Sequence, residues 1–479
     1  MSINKNEGST YGLKSKILSP IETFAQSVAN IAPSGTPTVV IPLVFALAGA
    51  GTWFAYLFAT IAILLVAWNI NQFAKDSASP GSFYIYIVKG LGNRFGVVAG
   101  WVLLIAYLAC ASSVTGGFTN YFNVLLDYFK LGHVSDLLLT AIVVALAWFV
   151  AFKDIKLSTQ LMLIFEFTSV FLILVLIVIT LWVHGFKLDF NQLALKGVTF
   201  ENIRLGLVLA IFSFTGFESA ATLGEEAKNP LKTIPRTLTL SALTIGALFV
   251  FSSYGEALGF IGNKETLGQS TAPFNVLAEK ANVPFFIPLI ALGAVISFFA
   301  CILACINAAS RILFHMSRHG LFHSSIGVAH EKNETPHYAV TISAIITFVP
   351  AAILILKKFG PFDLYGIIGT VATLAFIVAY ILVSIAAPIY LYHKKKLTTR
   401  NVIVSIGAII FLGVAIVGSV YPVPPAPYNY LPYIFLGIIL IGIIWFLIAR
   451  KISPEISENI KTDIKAIDEK WDSLASASL

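Results

Sequence analysis

Long apolar segments recur along the whole chain and are separated by short polar loops. As an α-helix, a segment of about 20 apolar residues crosses a hydrocarbon core of about 30 Å. Residues 161–181 are apolar on every face of a helix, whereas a membrane β-strand alternates apolar and polar positions. The pattern therefore predicts an all-α integral membrane protein with twelve transmembrane helices. The predicted spans are residues 21–47, 52–73, 96–118, 136–152, 157–183, 205–224, 237–260, 285–314, 338–356, 364–392, 402–420 and 433–449.

The composition supports this class. Of the 479 residues, 57% are hydrophobic and only 11% are charged, against roughly 25% charged residues in a soluble domain. A soluble enzyme is therefore excluded. The 3 cysteines all lie in apolar segments, so the sequence predicts buried thiols rather than a disulfide framework.

The basic residues predict the orientation. Lys and Arg concentrate at both chain ends and in the loops on the same side as those ends, including the cluster 394–396. Because basic loops are retained in the cytoplasm, we expect a multi-pass protein of the cytoplasmic (cell) membrane with both termini cytoplasmic. The net charge of +7 then reflects topology and attraction to anionic membrane lipid, and we expect no nucleic-acid partner.

Two of the predicted spans contain residues that interrupt a helix. The first span reads NIAPSGTP at 30–37, and the sixth reads FSFTGFE at 212–218. Proline removes backbone donors and glycine loosens the backbone, so both helices should unwind there. Unwound backbone at membrane depth is tolerated only around a cavity lined by protein or water. The two breaks therefore predict a central cavity.

The positions of the breaks also predict the domain organisation. Spans one and six correspond if the chain consists of two five-helix halves, and because five is odd the second half is inverted. We predict a cytoplasmic N-terminal segment, two inverted five-helix repeats, two further helices and an amphipathic cytoplasmic tail. Their predicted bounds are residues 1–19, 20–184, 185–392, 393–450 and 451–479. In the tail, spacings of three and four place apolar groups on one helical face: Ile456, Ile460, Ile464, Ile467, Trp471 and Leu474.

Each broken helix exposes backbone groups that suit one end of a zwitterion. The first half of such a helix ends in free carbonyls, and the second half begins with free N–H groups. We expect the N–H groups to bind a carboxylate and the carbonyls to bind an ammonium group. The expected donors are the amides around Ser34, Gly35 and Thr36, and the expected acceptors are carbonyls near Ile31, Phe212 and Thr215.

Several motifs resemble those of the amino acid, polyamine and organocation (APC) transporter superfamily. The most specific are FTGFE at 214–218, leading to GEEAKNP at 224–230 and IPR at 234–236, followed by SPGSFYIY at 79–86 and the stretch 311–320. The resemblance covers nearly the whole chain. It implies the LeuT-type five-plus-five inverted repeat followed by two further helices.

The resemblance also implies roles for individual residues. Ser34 and Gly35 match the segment of the first helix that binds the substrate carboxylate, and the Ile31 carbonyl matches one that meets the amine. Phe212 matches an aromatic gate over the substrate, and Ser213 and Thr215 line the same cavity. The family commonly has a glycine-rich stretch where this chain reads APSGTP at 32–37, so the subfamily and the substrate stay open.

Acidic residues within or near the spans are candidates for ion coupling. A carboxylate in the membrane is costly unless it is protonated or paired. Glu22, Glu166 and Glu218 are such residues. We expect Glu166 or Glu218 to carry a coupling proton, with sodium a weaker expectation. For Glu166 the alternative is a structural hydrogen bond to the first or eighth helix.

Histidines and cysteines at helical spacing raise the question of a metal site. His315, His319 and His323 are four residues apart, as are Cys301 and Cys305. Gly320 is expected to end the helix between the histidines, and no acidic ligand lies near them in the sequence. We therefore expect neither a metal nor another cofactor.

Together these features predict a secondary active transporter of amino acids that works by alternating access. Neutral amino acids are favoured, with proton coupling or exchange, and the oligomeric state is left open. The rival is a carrier of a polyamine, ethanolamine or another organic cation, with Glu166 or Glu218 as its counter-ion. A membrane-embedded enzyme or a channel is a remote alternative, because no catalytic motif or repeated filter segment is present.

Overall fold

The computed structural model describes residues 11–424 and 426–476. These residues form helices joined by short loops, with no named β-strand among them, which confirms the predicted all-α class. In chain order the α-helices are α1 (Pro20–Ile31), α2 (Ile41–Ala48), α3 (Thr52–Ala74), α4 (Ser82–Leu91), α5 (Asn93–Tyr128), α6 (Asp136–Lys153), α7 (Ile155–Val183), α8 (Phe190–Leu193), α9 (Phe200–Phe212), α10 (Pro230–Gly259), α11 (Pro273–Lys280), α12 (Phe286–Arg318), α13 (His337–Leu356), α14 (Pro361–His393), α15 (Thr399–Val420), α16 (Leu431–Ile452) and α17 (Ile456–Ser476).

Eleven stretches of the described residues are long and apolar enough to cross a membrane. The first of them, Pro20–Ala74, has 55 residues, about twice the length that a single crossing needs. It contains α1, α2 and α3, and the short turn Gly49–Gly51 separates α2 from α3. Counted as two crossings, this stretch brings the number in the described residues to the predicted twelve.

The packing relates three of the spans to the span five places later. The second span, α3, packs on the seventh, α10; the third, α5, packs on the eighth, α12; and the fourth, α6, packs on the ninth, α13. The contact of α6 with α12 is matched by that of α13 with α5. Two helical halves related by a two-fold axis would give this packing, and the repeat bounds 20–184 and 185–392 stay a prediction.

One end of the helix bundle carries both ends of the described chain, and we call it the terminal face. It comprises residues 11–19, 75–92, 224–229 and 315–327, and α17 packs on it. The predicted tail helix is present as α17, and it buries Ile456, Ile460, Ile467 and Trp471. The side chain of Leu474, predicted to extend this apolar face, lies outside the described residues, as do residues 1–10 of the predicted N-terminal segment.

Polar contacts bind α17 to the terminal face. The Lys89 ammonium lies 2.6 Å from Oδ1 of Asp468, and the indole N–H of Trp471 donates to the Ala78 carbonyl at 2.9 Å. The N-terminal segment adds a short parallel bridge, in which Leu18 N–H donates to the Glu226 carbonyl at 2.9 Å. The tail and the N-terminal segment therefore both hold the loop and helix ends of this face.

A buried ion pair fixes the 224–229 loop to α12. The guanidinium of Arg311 lies 2.7–2.8 Å from Oε1 of Glu226, and its Nη1 donates to the Asn307 carbonyl at 2.9 Å. Both charged side chains are 2% exposed or less. Burial raises the pKa of Glu226, although the neighbouring guanidinium opposes that rise.

We predict that Arg311→Ala destabilises the protein by about 3–5 kcal/mol, because it leaves the Glu226 carboxylate buried without its partner. Thermal unfolding of the purified protein in detergent measures the effect, with the exposed Arg450→Ala as the control. The double variant Arg311→Met, Glu226→Leu should lose less stability, because no unpaired charge is left. Wild-type stability in Arg311→Ala would show that the pair does not hold this face together.

Candidate functional site

The predicted break in the first span is present. Helix α1 ends at Ile31, and Ala32 adopts the left-handed conformation with φ of 50°. A π-helical turn, Thr36–Val40, then leads into α2. Pro33 contributes no N–H between the two halves. The backbone at 32–35 therefore leaves the regular hydrogen-bond ladder of a helix.

The predicted break in the sixth span is also present. Helix α9 ends at Phe212, and a turn through Gly216 leads to a 3₁₀-helix, Phe217–Leu223. Gly216 has a φ of 88°, and a Cβ there would lie 2.5 Å from Oδ1 of Asn30. The left-handed backbone and the close approach of the first span both require glycine.

The two broken spans lie against each other. The Ser27 hydroxyl donates to the Phe217 carbonyl, and the Ser219 hydroxyl donates to the Gln26 carbonyl at 3.1 Å. These bonds pair α1 with the 3₁₀-helix of the sixth span. The structure thus brings together the two segments that the sequence singles out.

Several backbone groups at the breaks have no hydrogen-bond partner among the described residues. They are the N–H groups of Ser34 and Gly35 and the carbonyls of Ile31, Ser213 and Thr215. The Ser34 hydroxyl is also buried without a partner there. Unpaired polar groups in a protein interior are costly. With donors in one span and acceptors in both, these groups could pair with a small ligand that has a negative and a positive end.

Two of the backbone groups that the sequence predicts for ligand binding already have hydrogen-bond partners within the protein. The Thr36 N–H donates to the Ala32 carbonyl at 3.1 Å. The Phe212 carbonyl accepts from both the N–H and the hydroxyl of Thr215, at 3.0 and 2.8 Å. The local turns therefore satisfy the Thr36 N–H and the Phe212 carbonyl. Of the three expected donors, only the N–H groups of Ser34 and Gly35 have no partner.

The other predicted site residues lie in the walls of this region. The Ser213 hydroxyl is 3.1 Å from the hydroxyl of Tyr56 on α3. Phe212 is buried, and its ring centroid lies 5.9 Å from that of Tyr365 on α14. A Cβ on Gly369 would lie 3.0 Å from the Phe212 ring. Phe212 is therefore packed against Tyr365 and close to Gly369 in this structure, and its role as an aromatic gate stays a prediction.

Phe298 of α12 closes the other side of the first break. A Cβ on Gly35 would lie 2.4 Å from Cε1 of Phe298, and a Cβ on Gly117 would lie 2.7 Å from its Cζ. Its ring centroid is 6.2 Å from that of Tyr365. Sequence reasoning did not single out Phe298, because a phenylalanine in an apolar helix carries no distinguishing signal.

A cavity adjoins Phe212 and Tyr365 between the first, sixth and tenth spans. Val40, Leu43 and Leu209 contribute to its mostly apolar wall, and none of its lining residues is charged. This wall would place no charge against an apolar group of a ligand.

Glu218 is fully buried, and two tyrosines hold both of its oxygens. The hydroxyl of Tyr107 on α5 donates to Oε1 at 2.5 Å, and that of Tyr380 on α14 donates to Oε2 at 2.6 Å. The Tyr380 hydroxyl also accepts from the Gly216 N–H at 3.2 Å. Glu218 therefore braces the sixth break through Tyr380, and neither tyrosine has a sequence pattern that predicts this role.

Glu166 is buried between α7 and α12. The single hydroxyl of Ser297 lies within hydrogen-bond distance of both carboxyl oxygens, at 3.0 and 2.9 Å. The alternative expected from the sequence, a hydrogen bond to the eighth span, is therefore present. Proton transfer by the same carboxyl stays a prediction.

Another buried carboxyl, Glu256 of α10, was not singled out in the sequence. Neither of its oxygens has a hydrogen-bond partner among the described residues, and it interacts electrostatically with Tyr56 and Tyr121. Tyr56 contacts Ser213 in the sixth break, and the Tyr121 hydroxyl donates to the Thr38 carbonyl at 2.9 Å. Glu256 lies inside the predicted span 237–260. A carboxylate within a span is costly, and this reason for selecting Glu166 applies equally to Glu256.

The three cysteines meet beside the first break. The sulfur atoms of Cys110, Cys301 and Cys305 lie within 4.8 Å of one another. Cys301 donates to the Asn30 carbonyl at 3.2 Å, and Cys305 donates to its side-chain oxygen at 2.9 Å. Three thiols could bind a soft metal. The hydrogen bonds of Cys301 and Cys305 give these two thiols a structural role, which is to fix Asn30 next to Gly216.

Comparison with known proteins shows similarity to membrane transporters. Residues 24–461 match the family model described as amino acid permease. The chain is 25% identical to a branched-chain amino acid permease of Bacillus subtilis, over 85% of this chain and 87% of the relative. It is 24% identical to a methylthioribose transporter of the same species, over 65% of this chain and 70% of the relative. It is 26% identical to a low-affinity putrescine importer of Escherichia coli K12, over 72% of this chain and 75% of the relative.

We predict that Gly35→Ala lowers stability by about 1–3 kcal/mol, because the added methyl group overpacks the Phe298 ring. The control is Gly413→Ala, where a Cβ would meet nothing within 4 Å. Thermal unfolding of both variants measures the difference. In a double-mutant cycle with Phe298→Leu, the smaller side chain should relieve part of the Gly35→Ala cost. Additive losses in the cycle would contradict the close contact.

Proposed function

The chain belongs to the amino acid permease family, and from this we propose that it carries neutral amino acids across the cell membrane by alternating access. The family match extends over residues 24–461 and confirms the transporter class expected from the sequence. The proposal adds the substrate class, the orientation and the coupling ion.

The unpaired backbone groups at the two breaks carry the proposal. We assign the substrate carboxylate to the N–H groups of Ser34 and Gly35, at the N-terminal end of the second half of the first span. We assign the ammonium group to the carbonyls of Ile31, Ser213 and Thr215. An α-amino acid presents both charged groups on one carbon, so it can pair with donors and acceptors at the same time.

The surroundings of the breaks favour an uncharged substrate side chain. The adjoining cavity is lined by Val40, Leu43 and Phe212, among others, and by no charged residue. Both oxygens of Glu218 already accept hydrogen bonds from tyrosines. An apolar amino acid of the branched-chain class fits this chemistry, and the similarity to a branched-chain amino acid permease supports that choice.

We assign the terminal face to the cytoplasm. The helix ends and loops on this side carry most of the Lys and Arg residues, and basic segments next to membrane spans are retained on the cytoplasmic side. This places α17 and both chain ends in the cytoplasm.

We further propose that a buried carboxyl couples transport to protons. Glu166 and Glu256 are the leading candidates, because a single hydroxyl contacts the first and no described group hydrogen-bonds to the second. Glu218, held by two tyrosines, is the third. Sodium is not needed in this proposal, and exchange of substrates stays compatible with it.

The substrate class is tested with three molecules of similar shape: leucine, isoamylamine, which lacks the carboxylate, and isocaproate, which lacks the amine. We predict that only leucine stabilises the purified protein in a thermal-shift assay and competes for uptake into liposomes. At 100 times its dissociation constant a ligand stabilises by about 2.7 kcal/mol. Isoamylamine or putrescine competing as well as leucine would contradict the proposal and favour an organic-cation carrier.

Proton coupling is tested by neutralising the buried carboxyls one at a time. We predict that at least one of Glu166→Gln, Glu256→Gln and Glu218→Gln abolishes uptake driven by a pH gradient in liposomes while substrate exchange without a gradient continues. The matched control is Glu265→Gln, in an exposed loop. Full gradient-driven accumulation in all three variants would exclude these residues as proton carriers.

A further inference from the structure

Two buried histidines at the end of α12 converge on one carboxylate of the tail helix. His315 and His319 are one helical turn apart, and their Nε2 atoms lie 3.0 and 3.2 Å from Oδ2 of Asp463 on α17. We propose that His315, His319 and Asp463 form a binding site for a divalent transition metal, with Zn²⁺ as the best match.

The spacing of the three side chains fits metal ligation. One ligand atom from each lies within 4.8 Å of the others. Ligands at about 2.0–2.1 Å from a tetrahedral Zn²⁺ lie about 3.3 Å apart, close to the two nitrogen-to-oxygen distances here. Two imidazoles and one carboxylate are a donor set that binds zinc with a fourth position left open.

The environment of His315 favours a role as a metal ligand. Its side chain is fully buried, and neither ring nitrogen makes an aligned hydrogen bond with a described residue, even though Nε2 lies close to Asp463. A buried nitrogen without a hydrogen bond is costly. A metal ion between His315 and Asp463 would use both the nitrogen lone pair and the carboxylate charge.

The other two side chains are oriented as metal ligands usually are. The Tyr84 hydroxyl lies 3.0 Å from Nδ1 of His319, and the Tyr11 hydroxyl donates to Oδ1 of Asp463 at 3.3 Å. Groups that contact the outer atom of a ligand fix its ring or carboxyl orientation and strengthen metal binding.

The surroundings allow an ion to enter and carry compensating charge. The Asp463 side chain is 21% exposed, which leaves solvent access to the site. Arg318 lies over the Tyr11 ring at 5.1 Å, and its positive charge is unfavourable to a cation. The carboxylate of Glu225 also interacts with Tyr11, but it is paired with Lys470 at 3.1 Å, so Asp463 supplies the negative charge that opposes Arg318.

The acidic ligand explains why the sequence alone argued against a metal. Asp463 follows His319 by 144 residues, so no local spacing connects them. The third histidine of the run, His323, is exposed, and its Nδ1 contacts the Ser325 hydroxyl instead. Bound metal would add direct bonds between α12 and α17 and hold the tail on the terminal face.

Zinc binding to the full-length protein, purified without a histidine tag and stripped with a chelator, tests the site. We expect one Zn²⁺ per chain by elemental analysis after dialysis, a higher unfolding temperature with Zn²⁺, and Co²⁺ absorption bands typical of tetrahedral coordination. Asp463→Asn and His319→Gln should weaken binding by more than the roughly 10- to 100-fold that loss of an orienting partner causes. Tyr84→Phe should fall within that range.

Two controls separate ligation from general tail docking. His323→Gln should bind Zn²⁺ like the wild type. Asp468→Asn breaks the ion pair with Lys89 but leaves the three ligands in place, so it should retain binding within a few-fold. The proposal is overturned if the wild type binds no Zn²⁺, if Asp463→Asn binds it unchanged, or if Asp468→Asn loses as much affinity as Asp463→Asn.

Discussion

Every peptide N–H and carbonyl in the membrane interior needs a partner, and this requirement organises the centre of the molecule. A continuous helix satisfies it internally, but the first and sixth spans stop doing so at 32–35 and 213–216. The structure supports these breaks closely: Gly216 touches Asn30, two thiols hold Asn30, and Tyr380 meets the Gly216 N–H. A short set of donors and acceptors stays unpaired, and these are the groups to which the proposed function assigns the substrate.

Helix α12 connects this centre to the terminal face. Near its middle, Phe298 packs on Gly35 and Ser297 contacts Glu166; one turn further on, Cys301 holds the first break. At its far end, Arg311 pairs with Glu226, and the two histidines meet the tail. The groups that fix the end of α12 and the side chains that enclose the breaks therefore belong to one continuous helix.

The sequence predicted the features that depend on local chemistry. Prolines and glycines located both breaks, hydropathy located the spans, and apolar spacing located α17. It did not predict which backbone groups stay free, because the turn geometry that satisfies Thr36 N–H and the Phe212 carbonyl arises only in the folded backbone. Contacts between distant residues were also invisible, as with Tyr107, Tyr380 and Asp463. Glu256, by contrast, could have been predicted from the sequence alone, because it is an acidic residue within a predicted membrane span.

The unpaired groups also determine how strongly the proposed site can discriminate. An amine without a carboxylate would leave the N–H groups of Ser34 and Gly35 buried and unpaired. A carboxylic acid without an amine would leave the carbonyls at the two breaks buried and unpaired. Each unpaired buried group costs about 1–3 kcal/mol, roughly a 5- to 150-fold loss of affinity, and more than one group is affected in each case. An apolar wall, by contrast, distinguishes side chains that differ by a methylene by only about 1–3 kcal/mol. The site should therefore be strict about the two charged groups of an amino acid and tolerant among small apolar side chains.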